Sequence, residues 1–592
     1  MELTKTRENT GSRYGAIFFV ACVLVVCWQC FAVALDTQLG GVSNLFHEWH
    51  VLAVSLANAL LLLSPYWLLP KRWRWLVWIP LTLLAVWCLI QLCYCRAYDD
   101  LMPWHSLSLT DNVNSTLAAS TISLLRWQDL LIVFPYLLLI GIFFLSKDRH
   151  SERTLPRFKT FLYAVIGAVV IGAFGYLDGD TNYTKRFFHN FSNRDYFARN
   201  GILPYVAFTL HEEFKSHAVT DDERAMIQRF LDEECPKYND NSYCKVARRN
   251  LVLVIVESLH TWPIGMEIDG REVTPTMNRL IASDSVIYAP YMLFQTSHGH
   301  SSDAHFIYNT GLLPLRDGAV AVNHGDGPYP TLGKALGGYD CREIICTPGM
   351  NWNQTVTART YGFDTLYTRD DLTKAGDLAR HNNVDDAALV DFASRLLPTL
   401  RQPFFLEMVT MTMHAPYTGS KLSDSWITAS SILNAEARGY LNSVHVTDSC
   451  LGSFIDALHG LDLTLNTVVA IVSDHTQLYY NRIQGRTDYE FVPSDWGIPL
   501  IIMGADTSMV YEQVIGQVDV FPTLLDVMGA NAYQWKGLGH SILRYPVVGA
   551  IQPRNMTVIG DSNAITSQQR KAWDVSRLLI YDRDHAEKQQ AW

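Results

Sequence analysis

Three short polar segments of this 592-residue chain stand directly behind apolar runs, where their side chains would be presented together. Glu257-Ser258 follows the run 251–256. Thr412-Met413-His414-Ala415-Pro416-Tyr417 follows 404–410, and Ser473-Asp474-His475 follows 467–472. Carboxylate oxygens and imidazole nitrogens are donors that zinc and manganese accept, and an adjacent Asp-His pair offers both from one place. Singly the segments say little, since a glutamate after a strand is most often a surface residue or a helix cap. Together they describe a two-carboxylate, imidazole site for one divalent ion, Mn or Zn.

The runs behind these residues are of strand length. Residues 251–256 are continuous and mostly β-branched, the pattern of a strand buried on both faces of a parallel sheet. Residues 467–472 and 499–503 are similar, while Glu407 interrupts 404–410. Helical stretches fall between them, around 385–399 and 435–459, which gives an α/β architecture with a mostly parallel sheet. Ligands of such sheets bind beyond the carboxyl ends of the strands. The three polar segments fall there.

A different kind of sequence precedes this half. Five apolar stretches, at about 15–35, 51–70, 75–95, 130–146 and 161–177, approach the ~20 helical residues that a bilayer core requires. Lys5, Arg7 and Arg13 precede the first stretch. Lys71, Arg72 and Arg74 fill the turn after the second, and Lys147, Arg149, Arg153, Arg157 and Lys159 the turn after the fourth. Every second loop is basic, which sets the amino terminus inside and everything after residue 178 outside the cytoplasm. The expected organisation is a five-helix transmembrane domain (1–177), juxtamembrane linker helices (178–249), an extracytoplasmic catalytic domain (250–545) and a C-terminal extension (546–592). The membrane would be the cell's inner or plasma membrane.

The net charge of −11 excludes nucleic acid as the main partner, which calls for a basic surface. Six of the 11 cysteines lie in or beside apolar stretches and are small core residues. Cys235/Cys244 and Cys341/Cys346 are spaced for local disulfides in an oxidising compartment, with Cys450 left over.

The soluble half resembles the alkaline phosphatase/sulfatase superfamily, and the whole chain is similar to lipoteichoic acid synthase-type phosphoglycerol transferases. The resemblance runs in order through 250–259 with Glu257, Thr274-Pro275-Thr276-Met277-Asn278, the loop Gln295-Thr296-Ser297-His298-Gly299-His300-Ser301-Ser302-Asp303, and the strand start Gln402-Pro403-Phe404-Phe405. It continues through His414-Ala415-Pro416-Tyr417, Asp474-His475 and Asp519-Val520-Phe521-Pro522-Thr523-Leu524-Leu525. It implies a side-chain oxygen that attacks the phosphorus of a phospholipid headgroup, a covalent phospho-enzyme, departure of diacylglycerol, and transfer to a glycan or lipid acceptor. It assigns Ser301 as nucleophile, where the family usually has threonine, and Glu257, Ser301, Asp474 and His475 as metal ligands. His414 would contact the phosphate or protonate the leaving oxygen, and Trp352 would lie beside the headgroup. Ser302 would cap the helix that begins near Asp303. His298, His300 and His305 carry no assigned role.

The resemblance breaks at Gln354, where the lipoteichoic acid synthases have an arginine able to pair with a phosphate. A phosphoethanolamine transferase is therefore a second reading. A sulfatase is a third, weakened because Ser301-Ser302-Asp303-Ala304-His305 lacks the proline and arginine of the motif that matures to formylglycine. A non-catalytic lipid sensor is the fourth.

Overall fold

In a computed structural model the described residues are 2–38, 49–98, 101–102, 125–145, 157–176, 193–214, 219–246, 248–316, 318–349, 351–415, 417, 426–428, 431, 434–476 and 497–582. They form two compact units, one ending with residue 214 and the other beginning at 219. The basic residues Lys147, Arg149 and Arg153, and Pro416 of the His414 motif, lie outside the described residues.

The first unit contains α1 (Glu2–Gln38), α2 (Trp49–Leu63), α3 (Trp78–Tyr98), α4 (Leu130–Leu145) and α5 (Arg157–Gly175). Among the described residues, four segments are long and apolar enough to cross a bilayer: Ala16–Ala34, Trp49–Trp67, Arg72–Arg96 and Phe158–Gly175. The expected fourth crossing differs from these. α4 is 16 residues long with Pro135 inside it, short of the ~20 residues of a full span. The fork of Arg96 at the end of α3 holds Asp129, just before α4, through contacts of 2.8 and 2.7 Å.

Two further helices, α6 (Asn193–Asn200) and α7 (Ile202–Phe214), pack on this unit. Phe197 and Tyr205 lie 5.4 and 6.0 Å from the Trp87 ring of α3. Gly201 joins the two helices with φ +82°, and a Cβ there would stand 2.2 Å from Asn58 Nδ2. Asn58 of α2 uses that close approach: it donates to Asn200 O at 3.2 Å and accepts from Leu203 N at 2.9 Å. The expected linker 178–249 is thus divided, because its next helix, α8 (Asp221–Glu233), packs in the second unit through buried Ile227 and Phe230.

The second unit is built on a nine-stranded sheet. Its strands are β1 (Asn250–Val256), β2 (Val286–Leu293), β3 (Asp340–Ile345), β4 (Thr365–Tyr367), β5 (Phe404–Val409), β6 (Thr467–Ser473), β7 (Gly497–Met503), β8 (Met509–Val510) and β9 (Ile515–Gly516). The order is β8-β2-β7-β6-β1-β5-β3-β4, with β9 also on β2. Only β7 runs antiparallel to its neighbours. β1 lies at the centre between parallel β5 and β6, and all seven of its residues are buried, as its unbroken apolar sequence requires.

Alternate residues of β1 feed two core layers. Leu251, Leu253 and Ile255 pack with α9 (Ser301–Thr310), α12 (Val520–Met528) and α13 (Ala564–Tyr581). Val252, Val254 and Val256 pack with α10 (Asp385–Leu396) and α11 (Ala435–Gly460). The described residues beyond 545, which end at 582, contribute to this core rather than trailing from it: Trp573, Leu578 and Ile580 of α13 are buried in the first layer. Ser576 Oγ accepts from Leu313 N at 3.0 Å, and Arg224 of α8 pairs with Asp582 at 2.9 Å.

All 11 cysteines are among the described residues, and none is joined in a disulfide. Cys341 and Cys346 cannot pair, because they are an odd number of residues apart along one extended segment and enter opposite core layers.

Candidate active site

The register of the central strands creates the site. Val256 of β1 pairs with Ser473 of β6, so the next residues, Glu257 and Asp474, leave the sheet side by side. Glu257, Asp474 and His475 are buried, and each offers a ligand atom within 4.8 Å of the others. Ser301, the first residue of α9, brings its Oγ to 3.4 Å from Glu257 Oε2 and 3.3 Å from His475 Nε2. The structure therefore gathers four of the expected residues, Glu257, Ser301, Asp474 and His475.

Their orientations are fixed from behind. His475 Nδ1 donates to its neighbour Thr476 O at 2.8 Å, which turns Nε2 toward the carboxylates. Asp474 Oδ1 accepts from Ser258 N and His475 N, both at 2.7 Å. Ser258 Oγ donates to Glu257 Oε1 at 2.6 Å. Gln517 Nε2 donates to Asp474 O at 2.7 Å and so holds the backbone of the Asp-His pair. Gln517 was not legible as part of the site, since no spacing marks a residue that acts through the backbone of another.

The loop that leads into Ser301 is tight. His300 precedes Ser301 with φ +42°, a left-handed conformation that costs a non-glycine residue about 1–3 kcal/mol. Asp303 Oδ2 accepts from Ser297 N at 2.8 Å and Gly299 N at 3.0 Å, folding the loop back on the helix. A Cβ at Gly299 would lie 2.1 Å from Asp303 Oδ1, so any larger residue would displace the carboxylate that folds the loop. The two serines then part company. Ser301 Oγ meets the acidic cluster, whereas buried Ser302 donates its hydroxyl to Gly299 O at 2.7 Å. Ser302 serves the loop as a donor and not as the expected acceptor of a helix N–H; the helix begins two residues earlier than expected, at Ser301.

The charge balance suits a cation. Burial, then the carboxylate of Glu257, push Asp474 up to about 6. Burial works against the His475 cation, but Asp474 and Glu257 outweigh it and raise the imidazole above its ordinary range. The cluster thus retains protons that a divalent ion would displace. Asp474 Oδ2 is buried without a hydrogen-bond partner, 3.4 Å from His475 Nε2. Donors bound to one ion at 2.0–2.2 Å stand about 3.0–3.5 Å apart. The contacts of 3.3–3.4 Å match this, and His475 to Glu257 at 4.0 Å is slightly open. The buried acidic and histidine donors are those of a metal site.

His414 and Trp352 are not members of this cluster. His414 lies in the turn after β5, half-buried, with Nδ1 donating to Ala415 O at 2.7 Å. Trp352 lies half-buried in the turn Asn351–Asn353 with φ +50°. Gln354 is buried, and its Oε1 accepts from Thr347 Oγ1 at 3.1 Å.

Comparison with known proteins divides the chain in the same way. Residues 1–222 match the lipoteichoic acid synthase N-terminal domain, and residues 249–530 match the sulfatase domain. The lipoteichoic acid synthase of Staphylococcus saprophyticus is 23% identical over 557 residues, covering 89% of this chain and 84% of that protein. The Staphylococcus aureus enzyme is 22% identical over 554 residues, covering 88% and 83%. Among solved structures, the lipoteichoic acid synthase LtaP from Listeria monocytogenes superposes with a TM-score of 0.49 at 18% identity, covering 62% of this chain and 98% of that one.

Proposed function

From the premise that this chain joins a lipoteichoic acid synthase N-terminal domain to a sulfatase domain, and is a distant homologue of the lipoteichoic acid synthases over most of its length, we propose that it transfers a phosphoglycerol headgroup from a membrane phospholipid to a glycan or lipid acceptor of the cell envelope. The observation that carries this reading is Ser301 Oγ, placed at a helix start within 3.4 Å of both Glu257 and His475.

Glu257, Ser301, Asp474 and His475 would hold one divalent ion, Mn or Zn. Bound there, it lowers the pKa of the serine hydroxyl and draws charge from the phosphoryl oxygens. Ser301 Oγ gives up its proton and forms a bond to phosphorus. The bond from phosphorus to the diacylglycerol oxygen breaks, and that oxygen takes a proton, the role given to His414. An acceptor hydroxyl then attacks the phosphoserine, loses its own proton and returns Ser301 to the free alcohol. Trp352 would flank the headgroup. The catalytic unit would face away from the cytoplasm on the inner or plasma membrane.

One observation favours a second donor, phosphatidylethanolamine. The position that would carry a phosphate-pairing arginine is Gln354, and its amide oxygen is engaged by Thr347. Full-length protein incubated with labelled phosphatidylglycerol or phosphatidylethanolamine, followed by mass spectrometry of the Ser301 peptide, separates the two. A glycerol-phosphate adduct with release of diacylglycerol is expected. An ethanolamine-phosphate adduct would replace the donor assignment, and no adduct from either lipid would reject the covalent mechanism.

A further inference from the structure

Behind the nucleophile helix lies a second set of metal donors that the reaction above does not use. His305, Glu343 and Glu407 are buried, and each offers an atom within 4.8 Å of the others. Sheet register brings the two glutamates together: Glu343 of β3 and Glu407 of β5 are direct cross-strand partners. Their flanking residues Cys341 and Phe405 enter the core layer that contains α9, so by strand alternation the carboxylates enter it as well. His305 lies four residues after Ser301, about one turn along α9.

The side chains converge. His305 Nδ1 stands 3.4 Å from Glu407 Oε1 and 3.7 Å from Glu343 Oε1. Asn309, a further turn along, donates Nδ2 to Glu407 Oε2 at 2.8 Å, which fixes that carboxylate with Oε1 toward the imidazole. Glu407 Oε1 and Glu343 Oε2 are buried with no hydrogen-bond partner, on residues 0% and 1% exposed. Among the described residues no lysine or arginine pairs with either carboxylate; their ion-pair contacts run to His305.

We infer that His305, Glu343 and Glu407 form a second metal site, taking one divalent transition-metal ion through an imidazole nitrogen and two carboxylate oxygens. Two adjacent carboxylates cannot both stay ionised in an apolar core without a counter-charge, because each ion costs several kcal/mol to bury. The one cationic candidate in contact with them among the described residues is the imidazole of His305, itself buried. A neutral imidazole is a good ligand. The contacts of 3.4 and 3.7 Å are within a few tenths of an ångström of the spacing that shared coordination imposes, about 3.0–3.5 Å. An ion here would bind α9 to two strands and steady the helix that presents Ser301. The competing state is a pair of protonated acids with no metal.

The test counts metal in full-length Asp474→Ala protein, produced and purified with Mn²⁺ or Zn²⁺ in excess and freed of unbound ions. About one equivalent should remain by elemental mass spectrometry, and it should be lost when Glu343→Gln and Glu407→Gln are added. No retained metal, or metal that survives the added substitutions, would overturn the assignment. Should the combined variant not fold, X-ray absorption on Asp474→Ala alone decides: imidazole scattering beside oxygen donors supports the site, and its absence rejects it. Loss of a different equivalent on going from wild type to Asp474→Ala reports separately on the ion beside Ser301.

Discussion

Ser301 and Ser302 are chemically identical neighbours, and backbone geometry alone divides their work. The left-handed His300 aims one hydroxyl at the carboxylates and turns the other back to the Gly299 carbonyl. Ser301→Ala should therefore lower headgroup release by three orders of magnitude or more, the size expected when a nucleophile is removed. Ser302→Ala should cost about 1 kcal/mol of stability, the value of one buried hydrogen bond, and leave turnover within a few-fold. Lipid-release assays and melting curves on the two variants check this, and the reverse pattern would move the nucleophile to Ser302. Sequence spacing alone could not separate the pair. Glu257, Asp474 and His475 were legible because each directly follows a continuous apolar strand. Glu407 showed only as an interruption in such a run and Glu343 carried no signal, because their partnership depends on the pairing of β3 with β5.

At the scale of elements, the central strands were plain because full burial on both faces leaves no polar alternation to blur them. Helix α13 was not. Its apolar residues are spread along an amphipathic sequence with Gln568, Gln569, Arg570 and Lys571, so segment 546–592 has the composition of a tail although α13 within it completes a core. Burying Trp573, Leu578 and Ile580 is worth about 1.5–3 kcal/mol each, a large share of the 5–15 kcal/mol that holds a domain folded. A chain ended after Tyr545 should lose the protease resistance of its catalytic unit, measured by limited digestion. A truncated protein as resistant as the full chain would show that α13 is dispensable. The membrane helices were legible by length and apolarity, except α4, which Pro135 and a shorter span set apart from the other four.

On the scale of the whole molecule, the side of the membrane that the catalytic unit occupies depends on the count of crossings, since an odd number separates it from the amino terminus. The alternating basic loops predict five. A cysteine introduced at Leu465, which is 96% exposed, should react with a membrane-impermeant thiol reagent once any outer barrier is removed and the inner membrane left intact. Labelling only after that membrane is opened would place the unit inside. The pairing of β1 with β6 has a further consequence, in time rather than space. Glu257 and Asp474 become neighbours only when strands some two hundred residues apart in the chain have met. During synthesis from the amino end, Glu257 and Ser301 are made long before their partners, and an incomplete set of donors grips an ion weakly. An ion that needs the whole set of donors would therefore bind late, after β6 has docked beside β1.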